Sequence, residues 1–155
     1  MKRIRRILKI RTASSSHVAG TLGFDSYGKL YLSVGDGGDP DNHPQNLQSL
    51  LGKILRIDLS KTEPEPEIVA FGLRNPWKFS IDTNNRMFIG DVGWQRIESV
   101  YLLEDLYPNT PYNLGWPAFE GTTRVRNSSL RFEDTLPPIF EYKNQNPLDN
   151  QYPMK

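Results

Sequence analysis

Three side chains in this sequence have the type and placement to do chemistry. His17 closes the run Ser14-Ser15-Ser16, immediately before an apolar stretch. An imidazole with an ordinary pKa of about 6.5 is a suitable general base, provided its ring is held rigidly in a cleft. Farther along, Arg74 and Asn75 stand just before Pro76. A proline pushes the residue before it into an extended conformation, so Asn75 sits where a loop enters a strand. A fixed cation and an amide at such a mouth can hold an anionic or carbonyl-bearing ligand. Plainer roles exist for each: Arg74 paired with a nearby carboxylate, Asn75 capping a turn, His17 without a catalytic part. The loop Gly35-Asp-Gly-Gly-Asp-Pro-Asp41 offers carboxylates and carbonyls of the kind calcium takes. It lacks the Glu that an EF-hand places at its twelfth position, and the Lys-Ser/Thr of a phosphate-cradling loop. A tight turn with Asp side chains capping backbone amides is the alternative. His43, between Asn42 and Pro44, is expected at the surface.

These residues need a frame, and the frame is read as all-β. Trp77, Phe79 and Ile81 alternate with Lys78, Ser80 and Asp82, the period of a half-buried strand. Further strands are expected at residues 3–10, Val18–Asp25, Lys29–Val34, Lys53–Leu59, Glu67–Phe71, Arg86–Ile89, Ile97–Leu103 and Ile139–Tyr142. One helical turn is expected at Leu47–Leu51, irregular chain over 104–125, and a polar tail over 143–155 of a single domain spanning 1–155. The sequence holds 12 Gly and 12 Pro in 155 residues, punctuation that suits short strands and many turns.

One repeat stands out. Phe24-Asp25-Ser-Tyr-Gly-Lys-Leu30-Tyr31-Leu32, ending in Gly35-Asp36, matches Ile81-Asp82-Thr-Asn-Asn-Arg-Met87-Phe88-Ile89, ending in Gly90-Asp91. A hairpin recurring at that spacing is what a β-propeller blade gives, although a β-sandwich also repeats hairpins.

Composition narrows the function classes. Nineteen basic and 18 acidic residues leave a net charge of +1, so nothing draws the chain to nucleic acid or to acidic membranes. There is no Cys, hence no disulfide and no thiolate metal site. No apolar run approaches the roughly 20 residues of a membrane span. The basic start from Met1 to Arg6 is like that of a signal peptide, but charge interrupts the segment that follows, so no export signal is expected in this chain.

Several motifs, taken in order, carry a resemblance. His17-Val-Ala-Gly20, Gly28-Lys-Leu-Tyr31 and Gly35-Asp-Gly-Gly38 resemble the active-site blade of the glucose/sorbosone dehydrogenases, the soluble quinoprotein aldose sugar dehydrogenases. Gln45-Asn46, Ser49–Asp58, Gly72-Leu-Arg-Asn-Pro-Trp77, Gly90-Asp-Val-Gly93, Asn113-Leu-Gly-Trp-Pro117 with Glu120-Gly121, and Pro138–Tyr142 are similar to its later segments. The likeness runs from residue 5 to 142. It implies a six-bladed β-propeller, of which this chain would hold about three blades, with pyrroloquinoline quinone (PQQ) and calcium as cofactors. It implies that His17 is the general base that takes a proton from a sugar's anomeric hydroxyl. Arg74 and Asn75 match residues that bind the quinone oxygens. Gly93 and the next residue, here Trp94, match the carbonyls that hold the cofactor's calcium. Glu98 matches a second, structural calcium site.

The same resemblance sets expectations about what lies outside the chain. The family's basic clamp on the quinone carboxylates falls beyond residue 155, so the chain is read as a fragment or a truncated gene product with little activity alone. An open propeller exposes strand edges, which the missing half or self-association would cover. The full-length protein is expected to be periplasmic or extracellular, with a sugar substrate and an external electron acceptor. The alternative is a non-catalytic propeller that binds a protein or glycan, as the hedgehog-interacting proteins do.

Overall fold

The computed structural model describes residues 4–12 and 14–143. Eleven strands and one short 3-10 turn (Phe132–Asp134) make up its regular structure. The first sheet is a meander of β1 (Leu22–Phe24), β2 (Leu30–Val34), β3 (Lys53–Ile57) and β4 (Pro66–Phe71), with β8 (Tyr112–Asn113) added parallel to β4. The second runs β5 (Lys78–Ile81), β6 (Met87–Asp91), β7 (Ile97–Leu103) and β11 (Phe140–Lys143), all antiparallel. A two-stranded ribbon, β9 (Phe119–Glu120) with β10 (Thr123–Arg124), stands beside them. The two meanders bring their first strands, β1 and β5, side by side. Gly23 permits this approach: a Cβ there would come within 2.8 Å of the Phe79 ring. Such sheets, joined at their inner strands and not closed into a ring, form a partial β-propeller.

Alternation builds the core between the sheets. Tyr31 and Ile54 from one, and Met87, Ile89, Tyr101 and Leu103 from the other, are buried in one cluster with Val69, Leu73 and Leu114. Met87, Ile89 and Asp91 are the buried positions of β6, while Phe88 and Gly90 between them are partly exposed. The repeat seen in the sequence is a repeat in space. In the first copy the Asp25 carboxylate accepts the Tyr27 and Lys29 N–H groups, and Gly28 takes a positive φ of 77°. In the second, Asp82 accepts the Asn84 and Arg86 N–H groups, and Asn85 takes a φ of 57°. Both are the turn that an Asx side chain builds when it substitutes for a backbone acceptor.

Several sequence expectations are corrected. Residues 4–10 form no strand; Leu8 and Ile10 instead pack on a small cluster of Val34, Leu51 and Leu55. The strand expected from Val18 begins only at Leu22, because His17, Ala19 and Gly20 have φ of 49°, 48° and 106°, which no strand accommodates. Leu47–Leu51 makes turns and no helix. That loop is fixed from beneath by buried Lys53, whose Nζ donates to the carbonyls of His43, Pro44 and Leu51. Burial pulls the Lys53 ammonium down to about 8. Trp77 does not share the half-buried face of Phe79 and Ile81; it precedes β5 and stays 57% exposed. Tyr112–Asn113 and the ribbon interrupt the stretch expected to be irregular. Lys143 closes β11, and the rest of the expected polar tail lies outside the described residues.

Candidate active site

The end of β2 carries Gly35 and Asp36, and both are buried. Around them the chain returns three times. The His17 carbonyl and the Asn75 Oδ1 approach Gly35 so closely that a Cβ would meet them at 1.9 and 3.1 Å. The Asp36 N–H donates to the Arg74 carbonyl at 2.8 Å. The His17 Nδ1 lies 2.7 Å from Asp36 Oδ1. The residues singled out in the sequence, His17 and, 57 positions on, the Arg74–Asn75 pair, therefore meet at one buried Gly-Asp pair.

Asp36 organises the polar chemistry. Its Oδ1 accepts the Gly38 N–H at 2.8 Å as well as His17, and its Oδ2 accepts the Trp116 indole N–H at 2.9 Å. A carboxylate only accepts, so the His17 Nδ1 carries the proton and Nε2 is left with its lone pair. The His17 side chain keeps 24% of its surface exposed, and its Nε2 makes no hydrogen bond among the described residues. This engagement also resolves the Gly35–Asp41 loop as a capped turn. Asp39 holds the Asn42 amide, and Asp41 pairs with Arg126. His43 is half-buried, with Nδ1 3.0 Å from the Ser49 hydroxyl, so its expected surface position is corrected.

Arg74 and Asn75 are held from behind by the second sheet. The Asp91 carboxylate accepts the Arg74 N–H at 3.0 Å and the Asn75 N–H at 2.7 Å. Burial pushes the Asp91 carboxyl up to about 7, against those two hydrogen bonds. Arg74 forms no ion pair among the described residues. Its Nη1 donates to the Val92 carbonyl, and its guanidinium lies 5.8 Å from the Trp116 ring centre. Asn75 is 8% exposed, and its Oδ1 is buried with no hydrogen-bond partner. A buried amide oxygen without a partner is costly, which marks a place where a ligand or water donor fits.

Gly93 and Trp94 lie in the next turn, and Glu98 is the second residue of β7. The Glu98 carboxylate accepts the Gly93 N–H at 3.1 Å. A second acid, Glu120, places one oxygen against the N–H groups of Trp94, Gln95, Arg96 and Ile97, while its other oxygen is buried without a partner. Gly93 is sterically required, since a Cβ would stand 1.8 Å from the Ile97 carbonyl. A small cavity behind the turn is lined by Arg74, Asp91, Gly93, Trp116 and Glu120. No cluster of three or more His, Cys, Asp or Glu side chains disposed to hold a metal occurs among the described residues.

Sequence reasoning missed Asp36, Trp116 and Glu120 as parts of this site. The signal for Asp36 was on the page, because Gly35-Asp36 recurs as Gly90-Asp91, but a repeated turn does not say what its carboxylate faces. Nothing local marks Trp116, which reaches Asp36 across 80 positions.

Taken together, a loop imidazole, the buried acid behind it and a buried amide with an open oxygen meet at one corner of a partial propeller. The chain belongs to the Glucose / Sorbosone dehydrogenase family, whose model matches residues 1–143. Two curated relatives are the HIPL1 and HIPL2 proteins of Arabidopsis thaliana. They are 32% and 35% identical and cover 90% and 76% of this chain, but only 25% and 21% of their own length. Among solved structures, the PQQ-bound aldose sugar dehydrogenase of Streptomyces coelicolor matches with a TM-score of 0.68 at 23% identity, over 87% of this chain and 38% of its own. A Thermus thermophilus oxidoreductase described as a glucose dehydrogenase matches at 0.65 and 24%, over 86% and 41%. These likenesses establish the quinoprotein propeller fold.

Proposed function

We propose that this chain carries the base and the quinone-oxygen contacts of a PQQ-dependent aldose dehydrogenase. The observation that supports this reading most is that the His17–Asp36 pair, Arg74 and Asn75 meet at the buried Gly35–Asp36 corner. The residues present fit the group: the Arg74 guanidinium, without an ion pair among the described residues, and the Asn75 side-chain N–H groups are donors from which quinone oxygens can accept, while the unpartnered Asn75 Oδ1 has room to accept from a substrate hydroxyl. When bound, PQQ with its calcium supplies the electrophilic quinone that accepts a hydride from the sugar's anomeric carbon. The His17 Nε2 takes the proton of the anomeric hydroxyl, and the aldose leaves as its lactone. Asp36 holds the Nδ1 proton and balances the imidazolium that forms. Arg74 and Asn75 balance the negative charge that develops on the cofactor side. Calcium would draw on the carbonyls of Gly93 and Trp94, and Glu98 would serve a second cation. An external acceptor then removes the electrons.

The solved neighbours span more than twice the share of fold present here, so turnover belongs to a chain with the complete ring. Phe140 and Tyr142 on the outer strand β11, with Ile139 just before it, are each more than half exposed and offer the rest of such a ring an apolar surface. We place the whole protein in the periplasm or outside the cell; no helix among the described residues is long and apolar enough to cross a membrane. A second reading, a non-catalytic propeller binding a protein or glycan, fits the HIPL relatives.

The test adds PQQ, calcium, an aldose and a redox dye to a chain carrying the complete ring. His17→Ala is expected to abolish dye reduction while PQQ stays bound. Turnover that survives the substitution removes the base from His17. Wild-type protein that binds quinone yet never reduces dye favours the second reading.

A further inference from the structure

Arg126 is not explained by the site as described. It follows the ribbon, and its N–H, like that of Val125, donates to the Ala118 carbonyl, two residues past Trp116. Its guanidinium stands 5.7 Å from the Trp94 ring centre and 5.9 Å from that of Trp116. Trp116 therefore lies between two guanidiniums, with Arg74 at 5.8 Å. The two indoles meet edge-on at 6.2 Å. Trp116 is fixed, 3% exposed and bound to buried Asp36. Trp94 is 42% exposed and presents a free aromatic surface.

The partner of Arg126 is Asp41, from the loop after β2. Asp41 keeps 73% of its side chain exposed, and Arg126 only 31%. An ion pair with so exposed a carboxylate is weak, because solvent and salt screen it. The guanidinium is thus positioned by the ribbon and the indoles, while its anion is replaceable. A planar fork over aromatic rings suits a ring-borne carboxylate, which it can take in two parallel hydrogen bonds.

We propose that Arg126 is a carboxylate-binding residue of this site. It exchanges Asp41 for the carboxylate of a planar aromatic ligand lying against Trp94, next to Arg74 and Asn75. The proposal rests on the reading above that a planar quinone occupies the site, and it supplies a basic contact to that ligand's carboxylates from within this chain. Asp41 is the resting partner that keeps the guanidinium extended until the ligand arrives.

Indole fluorescence quenching reads the binding directly, without turnover. The probes are PQQ, a quinoline dicarboxylate and the uncharged diamide of that dicarboxylate. The wild-type protein is expected to bind both anions and to discriminate against the diamide. Arg126→Gln is expected to weaken both anions about tenfold, with unchanged circular dichroism and unchanged diamide binding. Arg126→Lys should recover part of the loss, and Asp41→Asn should tighten the anions about twofold by removing a competitor. Equal anion affinity in wild type and Arg126→Gln overturns the proposal while leaving the quinone reading intact. So does an Asp41→Asn loss as large as that of Arg126→Gln, which would make the pair a strut. Arg126-dependent binding of the dicarboxylate with no binding of PQQ keeps the carboxylate site and sinks the quinone reading. A wild type that binds neither anion overturns both.

Discussion

The two blades begin alike and end differently. Each opens its hairpin with an Asp that caps two backbone N–H groups, Asp25 in one and Asp82 in the other. Each brings its second strand to an end in Gly-Asp, at 35–36 and 90–91, with the Asp buried in both. The shared part is scaffold, since the same turn chemistry serves any meander. The difference lies in what the second Asp meets. Asp36 faces side chains, the His17 imidazole and the Trp116 indole. Asp91 faces backbone, the N–H groups of Arg74 and Asn75. One carboxylate engages the His17 imidazole, and its counterpart fixes the strand mouth that carries Arg74 and Asn75. A duplicated turn thereby delivers two different services to one site.

The sharpest way to break this comparison is to neutralise each carboxylate without changing its shape. Asp36→Asn offers His17 an amide and loses the preference for the Nδ1 proton. In a chain with the complete ring, turnover of the folded fraction should fall by about 10²–10⁴-fold, by analogy with other acid–histidine pairs, far more than the stability lost because one amide oxygen cannot accept from both Gly38 and Trp116. Asp91→Asn cannot accept both backbone N–H groups. It should lower the urea midpoint by the equivalent of about 1–3 kcal/mol, with a smaller effect on turnover of the folded fraction. If the two variants lose activity and stability in the same proportion, the division of labour between the blades is wrong.

The opening turns sharpen the comparison at a lower level. Asp25 is 6% exposed and accepts the hydroxyls of Tyr31 and Tyr107 in addition to its two N–H groups. Burial acts to raise its carboxyl, but those hydrogen bonds outweigh it and hold Asp25 below the usual carboxylate value. Asp82 reaches only its own turn and Arg86. Asp25→Ala should therefore cost about 2–3 kcal/mol in equilibrium unfolding, since it strands buried hydroxyls. Asp82→Ala should cost distinctly less. Equal losses would mean the tyrosines contribute nothing.

Local patterns were the legible part of the sequence. The Asx turns, the alternation of β6 and β7 and the 57-residue repeat all arise from neighbours within a few positions, so they show in the chain. Strand β7 is found at Ile97–Leu103, the span the alternation gives. His17, Arg74 and Asn75 were legible through ordered motifs, and the structure brings them together. What stayed hidden depends on distant partners. Positive φ at His17 and Ala19 suspends the first strand, yet neither residue type announces it. Leu8 and Ile10 read as a strand because apolar alternation cannot say whether an edge is available to pair with. Trp116 and Arg126 join the site only after the chain has crossed the second blade.

The smallest expected effect concerns the hydroxyls that only the first copy carries. The repeat aligns Tyr31 with Phe88, and the two differ by the oxygen that reaches Asp25. Tyr107, which binds the same carboxylate at 2.6 Å, has no counterpart on Asp82. Burial, and then the hydrogen bond to Asp25, push the Tyr107 hydroxyl up to about 12 from its ordinary 10.0. Burial also raises Tyr31, with the Asp25 charge adding to it. A group whose folded pKa lies above its unfolded one favours folding while it stays protonated. That contribution is complete below pH 10 and disappears as the pH rises through about 12. The urea midpoint should therefore fall between those two values. Tyr107 is 39% exposed, so solvent screening keeps its share small. Tyr107→Phe should shallow the decline without removing it, because Tyr31 still titrates against Asp25. A variant whose midpoint falls as steeply as the wild type's would show that the Tyr107–Asp25 bond does not distinguish the first blade from the second.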